Sequence, residues 1–165
     1  MSVGDVIRKV RVSSRKTQEE FAAELHLDRT QLSRVERDAR RATPELDQVL
    51  ARKNWRIALE IMDERTGGYI SNILHDLPNL DLHPAALKDV LLKEAEELMA
   101  SLGGLVLARH IDPNKRKEIA EQVYHEIRDV VEKGVVMLGV IEEEFGLDRE
   151  RLILKHEMQI KNGER

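Results

Sequence analysis

The 165-residue chain predicts an all-α fold, a small basic helical domain followed by an acidic helical bundle, and three features of the sequence say so. Apolar residues recur at three- and four-residue spacing along nearly the whole length, with no alternating stretch that would make a half-buried strand. Helix-start signals, threonine or aspartate followed by a glutamate or a proline, stand before most of these segments. The charge is unevenly shared: residues 1–56 carry 13 Lys+Arg against 9 Asp+Glu, whereas residues 57–165 carry 14 against 22, within a net charge of −4. A basic part joined to an acidic one is what is expected when one half meets a polyanion and the other does not.

Each helix can be placed in order. Val3, Ile7 and Val10 or Arg11 share a face over 3–12, and the tract Ser13-Ser14-Arg15-Lys16 interrupts it. Thr17-Gln18-Glu19-Glu20 is a capping box that opens a second helix with Phe21, Ala22 and Leu25 inward. After a short break at His26-Leu27, Asp28-Arg29-Thr30-Gln31 repeats the start signal, and Leu32 and Val35 point into the core. An arginine-rich loop, 37–42, leads to Thr43-Pro44-Glu45, with proline at the favoured first helical position. From Pro44 the pattern runs to about Glu64, as one helix or as two divided at the polar Arg52-Lys53-Asn54. Gly67-Gly68 is the clearest break, which sets the expected domains at 1–66 and 67–165.

In the second part a short helix is expected around Tyr69–His75, and Pro78 and Pro84 forbid a regular helix between them. Leu87, Leu91, Ala95, Leu98 and Leu102 mark a helix over 85–101, which Gly103-Gly104 ends or which continues through 105–110. Asp112-Pro113 starts the longest element. Its stripe, Ile119, Val123, Ile127, Val130, Gly134, Leu138, Ile141 and Phe145, broadened by Val131 and Val135, is the seam of a helix that packs on a partner. Gly146 ends it, and Asp148 caps a last helix reaching about Ile160.

Composition narrows the function. Without cysteine there is no disulfide, thiolate nucleophile or cysteine-ligated zinc; with no signal-peptide pattern and no membrane-length apolar run, a cytoplasmic location is expected. Aromatic residues, at 3%, are too few for stacking single-stranded nucleic acid. The histidines, among them His75, His83, His110, His125 and His156, form no ligand pair at helical spacing. Glu142-Glu143-Glu144 points in three directions, and neither glycine pair is followed by Lys-Ser/Thr. No metal, cofactor or enzymatic activity is therefore expected.

The chemistry lies in 17–36, TQEEFAAELHLDRTQLSRVE. Two short capped helices meet across a break too tight for an antiparallel hairpin, and Ala22 is small enough for a steep crossing. The outward face of the second helix, Arg29, Thr30, Ser33 and Arg34 with Gln31 beside them, is then free to enter a major groove. Here the segment from Gly4 to about Leu50 resembles the Cro/lambda-repressor-type (XRE-family) helix-turn-helix domain. It shares the polar-Gln opening (Thr17-Gln18), Glu20-Phe21-Ala22, and Leu32-Ser33-Arg34-Val35-Glu36 followed by a basic loop. It departs from the pattern at His26, where the turn usually carries glycine, and at Asp38-Ala39, where the loop usually does.

The resemblance implies that Gln18 bonds a phosphate, that Arg29, Thr30 and Arg34 face base edges, and that Gln31 lies near the groove wall. Asp28 would cap the recognition helix and, if it reaches DNA, accept from a cytosine amine; Arg37, Arg40 and Arg41 would hold phosphates. Arginines facing guanines imply a guanine-containing half-site. Glu36 is expected to partner an arginine rather than DNA. Because one such unit binds weakly, the acidic helices are expected to make a homodimer or tetramer. The function expected is that of a sequence-specific transcriptional regulator of double-stranded DNA, a phage- or prophage-type bacterial repressor or activator. The alternative is an antitoxin-like or adaptor protein whose acidic helices bind a protein partner.

Overall fold

The computed structural model describes residues 2–105 and 112–164, and these form eight α-helices with no strand. The expected continuation over 105–110 falls, beyond Leu105, outside the described residues. The chain divides into two compact units, Met1–Pro78 and Asn79–Arg165.

In the first unit, α1 (Val3–Ser13), α2 (Gln18–Glu24) and α3 (Arg29–Glu36) begin where the sequence places caps. Thr17 accepts from the Glu20 amide while the Glu20 carboxylate accepts from the Thr17 amide, so two orphan donors are satisfied reciprocally. Ser2 and Asp5 do the same for α1. At α3 only half of the repeated signal operates as a cap, with Asp28 accepting from the Thr30 amide at 2.7 Å. The stretch from Pro44 is two helices, α4 (Pro44–Lys53) and α5 (Trp55–Thr66). Asn54 divides them: its backbone is extended (φ −154°, ψ 134°), and its side chain caps α5 through the Arg56 amide. Gly67, at φ 62°, supplies the left-handed residue that ends α5.

Phe21, Ile7, Leu32, Leu50 and Ile57 are each no more than 1% exposed and lie in one core with Val6, Ala22, Leu25 and Val35. Gly4 is required by this packing. A Cβ there would lie 2.3 Å from the Val35 carbonyl oxygen and 2.6 Å from Asp38 Oδ1, so the backbone of α1 rests directly on the end of α3.

The sequence expectation of a short helix at Tyr69–His75 is not met. Residues 69–72 form no regular element, and residues 73–76 form a turn. Local side chains take the amides that a helix would need: Asp63 accepts from the Asn72 amide at 3.0 Å, and Asn72 Oδ1 accepts from that of Leu74 at 3.2 Å. The Asn72 side chain also donates to buried Glu60 at 2.7 Å, where His75 Nε2 lies 2.8 Å from the same carboxylate. The chain after Gly67-Gly68 is thus fastened back to α5.

The second unit contains α6 (Pro84–Gly103), α7 (Pro113–Phe145) and α8 (Arg149–Lys161). Gly104 caps α6, so the glycine pair ends that helix. α6 and α7 run antiparallel, because Lys133 meets Glu94 at 2.9 Å while Gln122 meets Ser101 at 3.4 Å. The single stripe expected along α7 is two. Val123, Val136 and Val140 are buried, whereas Ile127 (43% exposed), Leu138 (62%) and Phe145 (66%) face outward. Neighbouring residues lie 100° apart on a helix, so a one-residue change of register moves a side chain from one stripe to the other.

Candidate nucleic-acid interface

The turn between α2 and α3 is closed by backbone bonds, with Leu27 donating to Ala22 at 2.8 Å and His26 to Ala23 at 3.1 Å. This geometry needs a left-handed residue, and His26 supplies it at φ 54°. Asp38, at the second departure from the family pattern, sits at φ 52°. Histidine and aspartate are among the non-glycine residues that enter this region most readily, so both substitutions keep the backbone course. Asp38 also accepts from the Ser2 hydroxyl at 2.7 Å, a contact that glycine could not make.

Burial of Leu32, Val35 and Glu36 sets the rotation of α3. Arg29, Thr30, Gln31 and Arg34 are consequently exposed and Ser33 half-buried, while Asp28 is exposed at the cap. Donation from the Thr30 hydroxyl and amide holds the Asp28 carboxyl below its ordinary range. Arg37 and Arg40 are exposed in the turn and loop that follow; Arg37 Nε donates to the Ser33 carbonyl at 3.1 Å. Arg41 lies 3.8 Å from Glu64 with its side chain 83% exposed, a pair too solvated to immobilise it. The ten sequence-predicted residues therefore fall on Gln18 at the start of α2, on α3 with its cap, and in the turn and loop behind it.

The cations of the first unit fall into two groups. Arg11 donates to buried Glu36 at 2.6 and 3.1 Å; Lys16 and Lys53 both pair with Glu24, and Arg65 pairs with Asp47 at 2.7 Å. These side chains tie helices together. Arg29, Arg34, Arg37 and Arg40, on α3 and in the turn and loop behind it, have no ion pair among the described residues, nor do the exposed Arg8 and Arg15. Glu36 partners an arginine, as expected, and it also accepts from Gln18 Nε2 at 2.8 Å. Gln18 is thereby oriented and keeps a second amide hydrogen for an anion. Arg11, whose partner the sequence alone does not name, is the positioning residue behind it: Glu36 raises its pKa above the ordinary value and its Nη1 binds the Lys16 carbonyl at 2.9 Å.

Elsewhere, Glu94, Glu97 and Glu126 bring carboxylate oxygens within 4.8 Å of one another. Glu94 is already paired with Lys133, which also holds Asp129 at 2.8 Å, so the group is part of an ion-pair lattice between α6 and α7. Among the described residues no helix is long and apolar enough to cross a membrane.

Residues 7–52, from within α1 to near the end of α4, match the family model of helix-turn-helix domains. Comparison with curated proteins and with solved structures gave no match. With its caps, its tight turn and its matching span, the amino-terminal part of the chain is an XRE-family helix-turn-helix domain, the module of DNA-binding regulators.

Proposed function

We propose that the protein is a sequence-specific regulator of transcription that binds double-stranded DNA as a homo-oligomer, a phage- or prophage-type bacterial repressor or activator. The first unit carries DNA recognition and the second carries assembly. The observation that supports this most directly is the sorting of cations: Arg11 and Arg65 are neutralised, while Arg29, Arg34, Arg37 and Arg40 have no ion pair among the described residues and Arg41 has only a solvated one. Residues 29–36 enter the major groove, where Arg29, Thr30 and Arg34 meet base edges and Gln31 the groove wall. Ser33 and Asp28 border that contact, and Gln18, Arg37, Arg40 and Arg41 hold phosphates, which fixes register without reading sequence.

Binding of the purified chain to operator and random duplexes, measured across salt, tests this. Arg34→Ala should weaken operator binding about 5- to 150-fold, the ~1–3 kcal/mol of a bidentate base contact, and leave random duplex nearly unchanged. Arg40→Ala should weaken both alike and reduce the salt slope by about 1. Equal losses on every duplex from both variants would contradict the roles assigned. A requirement for a second protein before any duplex is bound would favour the adaptor reading.

A further inference from the structure

We propose that two copies of the chain join through their second units as an antiparallel four-helix bundle. The two-fold axis crosses α7 between Val131 and Gly134 and α6 between Leu92 and Ala95. Its use in recognition rests on the DNA-binding reading; the pairing itself does not.

α7 carries two seams of alternating three- and four-residue spacing, one residue apart. The first, Ile119, Val123, Glu126, Val130, Lys133, Met137 and Val140, is half-buried to buried, includes the ion pair to α6, and is flanked by the buried Glu132, Val136 and Gly139. The second is Ala120, Tyr124, Ile127, Val131, Gly134, Leu138, Ile141 and Phe145. It is largely exposed, with Tyr124 48%, Val131 40% and Phe145 66% accessible. α6 repeats the arrangement: Leu87, Leu91, Glu94 and Leu98 lie inward, while Leu92, Ala95, Met99 and Leu102 form an adjacent seam whose three large residues are 45–66% exposed. Two heptad seams about 100° apart on each helix are what a helix needs when it touches two neighbours in a four-helix bundle.

A second copy fits these faces for three reasons. Antiparallel self-pairing of the α7 seam sets Ala120 opposite Phe145, Tyr124 opposite Ile141, Ile127 opposite Leu138 and Val131 opposite Gly134, so that the smallest residues meet large ones. The same operation on α6 sets Leu92 opposite Ala95, Leu102 opposite Ala85 and Met99 opposite the aliphatic stem of Lys88. One axis serves both seams, because Lys133, between Val131 and Gly134, bonds Glu94, between Leu92 and Ala95. Charge agrees in direction: an antiparallel pair places Lys115-Arg116-Lys117 at the same end as the partner's Glu142-Glu143-Glu144, offset by about 9 Å along the helix, whereas a parallel pair sets like against like. The seams run about 38 Å along α7 and about 15 Å along α6, at 1.5 Å per residue. In strips about 10 Å wide that is a footprint of ~500 Å² per copy, about two thirds of the ~800 Å² that each partner gives to a stable interface.

The full-length chain has no cysteine, so cross-linking is clean. Oxidation of the double variant Ile127→Cys/Leu138→Cys should give a covalent dimer, whereas neither single variant should. Copies of one position lie about 16 Å apart along the helix direction, beyond the ~7 Å Cα separation a disulfide tolerates. Equal cross-linking by the single variants, or none by the double variant, would overturn the proposal. Gly134→Leu supplies a second readout: a Cβ there meets nothing within 4 Å of its own chain, so the helix should be as stable or more so. Dimer dissociation, measured by sedimentation, should rise at least tenfold through the clash with the partner's Val131, and an unchanged dimer would count against the axis. A chain that cross-links as stated yet binds no duplex would overturn the DNA reading alone; one that binds duplex without cross-linking would overturn the pairing alone.

Discussion

The two units treat apolar surface in opposite ways. Among the described residues, the first buries fifteen hydrophobic side chains and leaves four large ones exposed; the second buries four and exposes fourteen. Five helices crossing at several angles can enclose a core, so the helix-turn-helix domain stands on its own packing. α6 and α7 meet along one line only, and α8 buries no residue. A helical hairpin of this kind leaves most of its apolar stripes in water, a cost of roughly 25 cal/mol per Å² that association removes. Independent stability thus belongs to the unit that carries the helix-turn-helix domain, and the second unit leaves exposed the apolar surface through which we propose that it assembles.

This contrast breaks most visibly at the two cores. Phe21→Ala should cost the first unit about 3–5 kcal/mol, with an unfolding midpoint that does not depend on protein concentration. Leu138→Ala should act instead through the second unit, lowering a midpoint that rises with concentration. Concentration-independent unfolding of both units would erase the distinction. Gly4→Ala should cost about 1–3 kcal/mol in urea unfolding, because the new methyl meets the Val35 carbonyl, a backbone atom fixed by its own helix.

Acid sharpens the picture of the first unit. Glu20 and Asp28 both titrate below their ordinary values, Glu20 through the Thr17 amide and hydroxyl and Asp28 through the Thr30 hydroxyl and amide. Their contribution is complete above the unfolded carboxylate pKa of about 4 and is lost as pH falls through the depressed folded values. Stability should therefore decline on acidification below about pH 4, and Asp28→Asn, which still caps α3, should flatten part of that decline in pH-dependent unfolding. The smallest effect is at the turn. His26→Gly removes the cost of a side chain at φ 54°, offset by the greater freedom of an unfolded glycine, and should change stability by no more than about 1 kcal/mol.

Much of the first unit was legible because its signals are local. A capping box spans four residues, and Thr17 and Glu20 announce the start of α2 without reference to the rest of the chain. Asp28 and Pro44 do the same for α3 and α4. The departures at His26 and Asp38 were readable as departures, but that both residues adopt the left-handed backbone, and that Asp38 holds Ser2, became visible only in three dimensions. Spacing places Arg11 at the edge of the inward face of α1 but does not name its partner; it matters because α1 brings it beside a glutamate twenty-five residues away. The absence of a helix at 69–75 was equally hidden, since Asp63 and Asn72 compete for amides that hydrophobic spacing alone assigns to a helix.

The amino-acid order by itself determined where helices begin, that all regular structure is helical, and which arginines cluster on one short helix and the loop after it. These depend on interactions within a few residues. Tertiary structure decided which of those cations are neutralised, why position 4 must lack a side chain, and how the apolar residues of α7 divide between a buried seam and an open one. A spacing of three and four residues fits two adjacent stripes almost equally well, and only the neighbour that packs against one of them tells them apart.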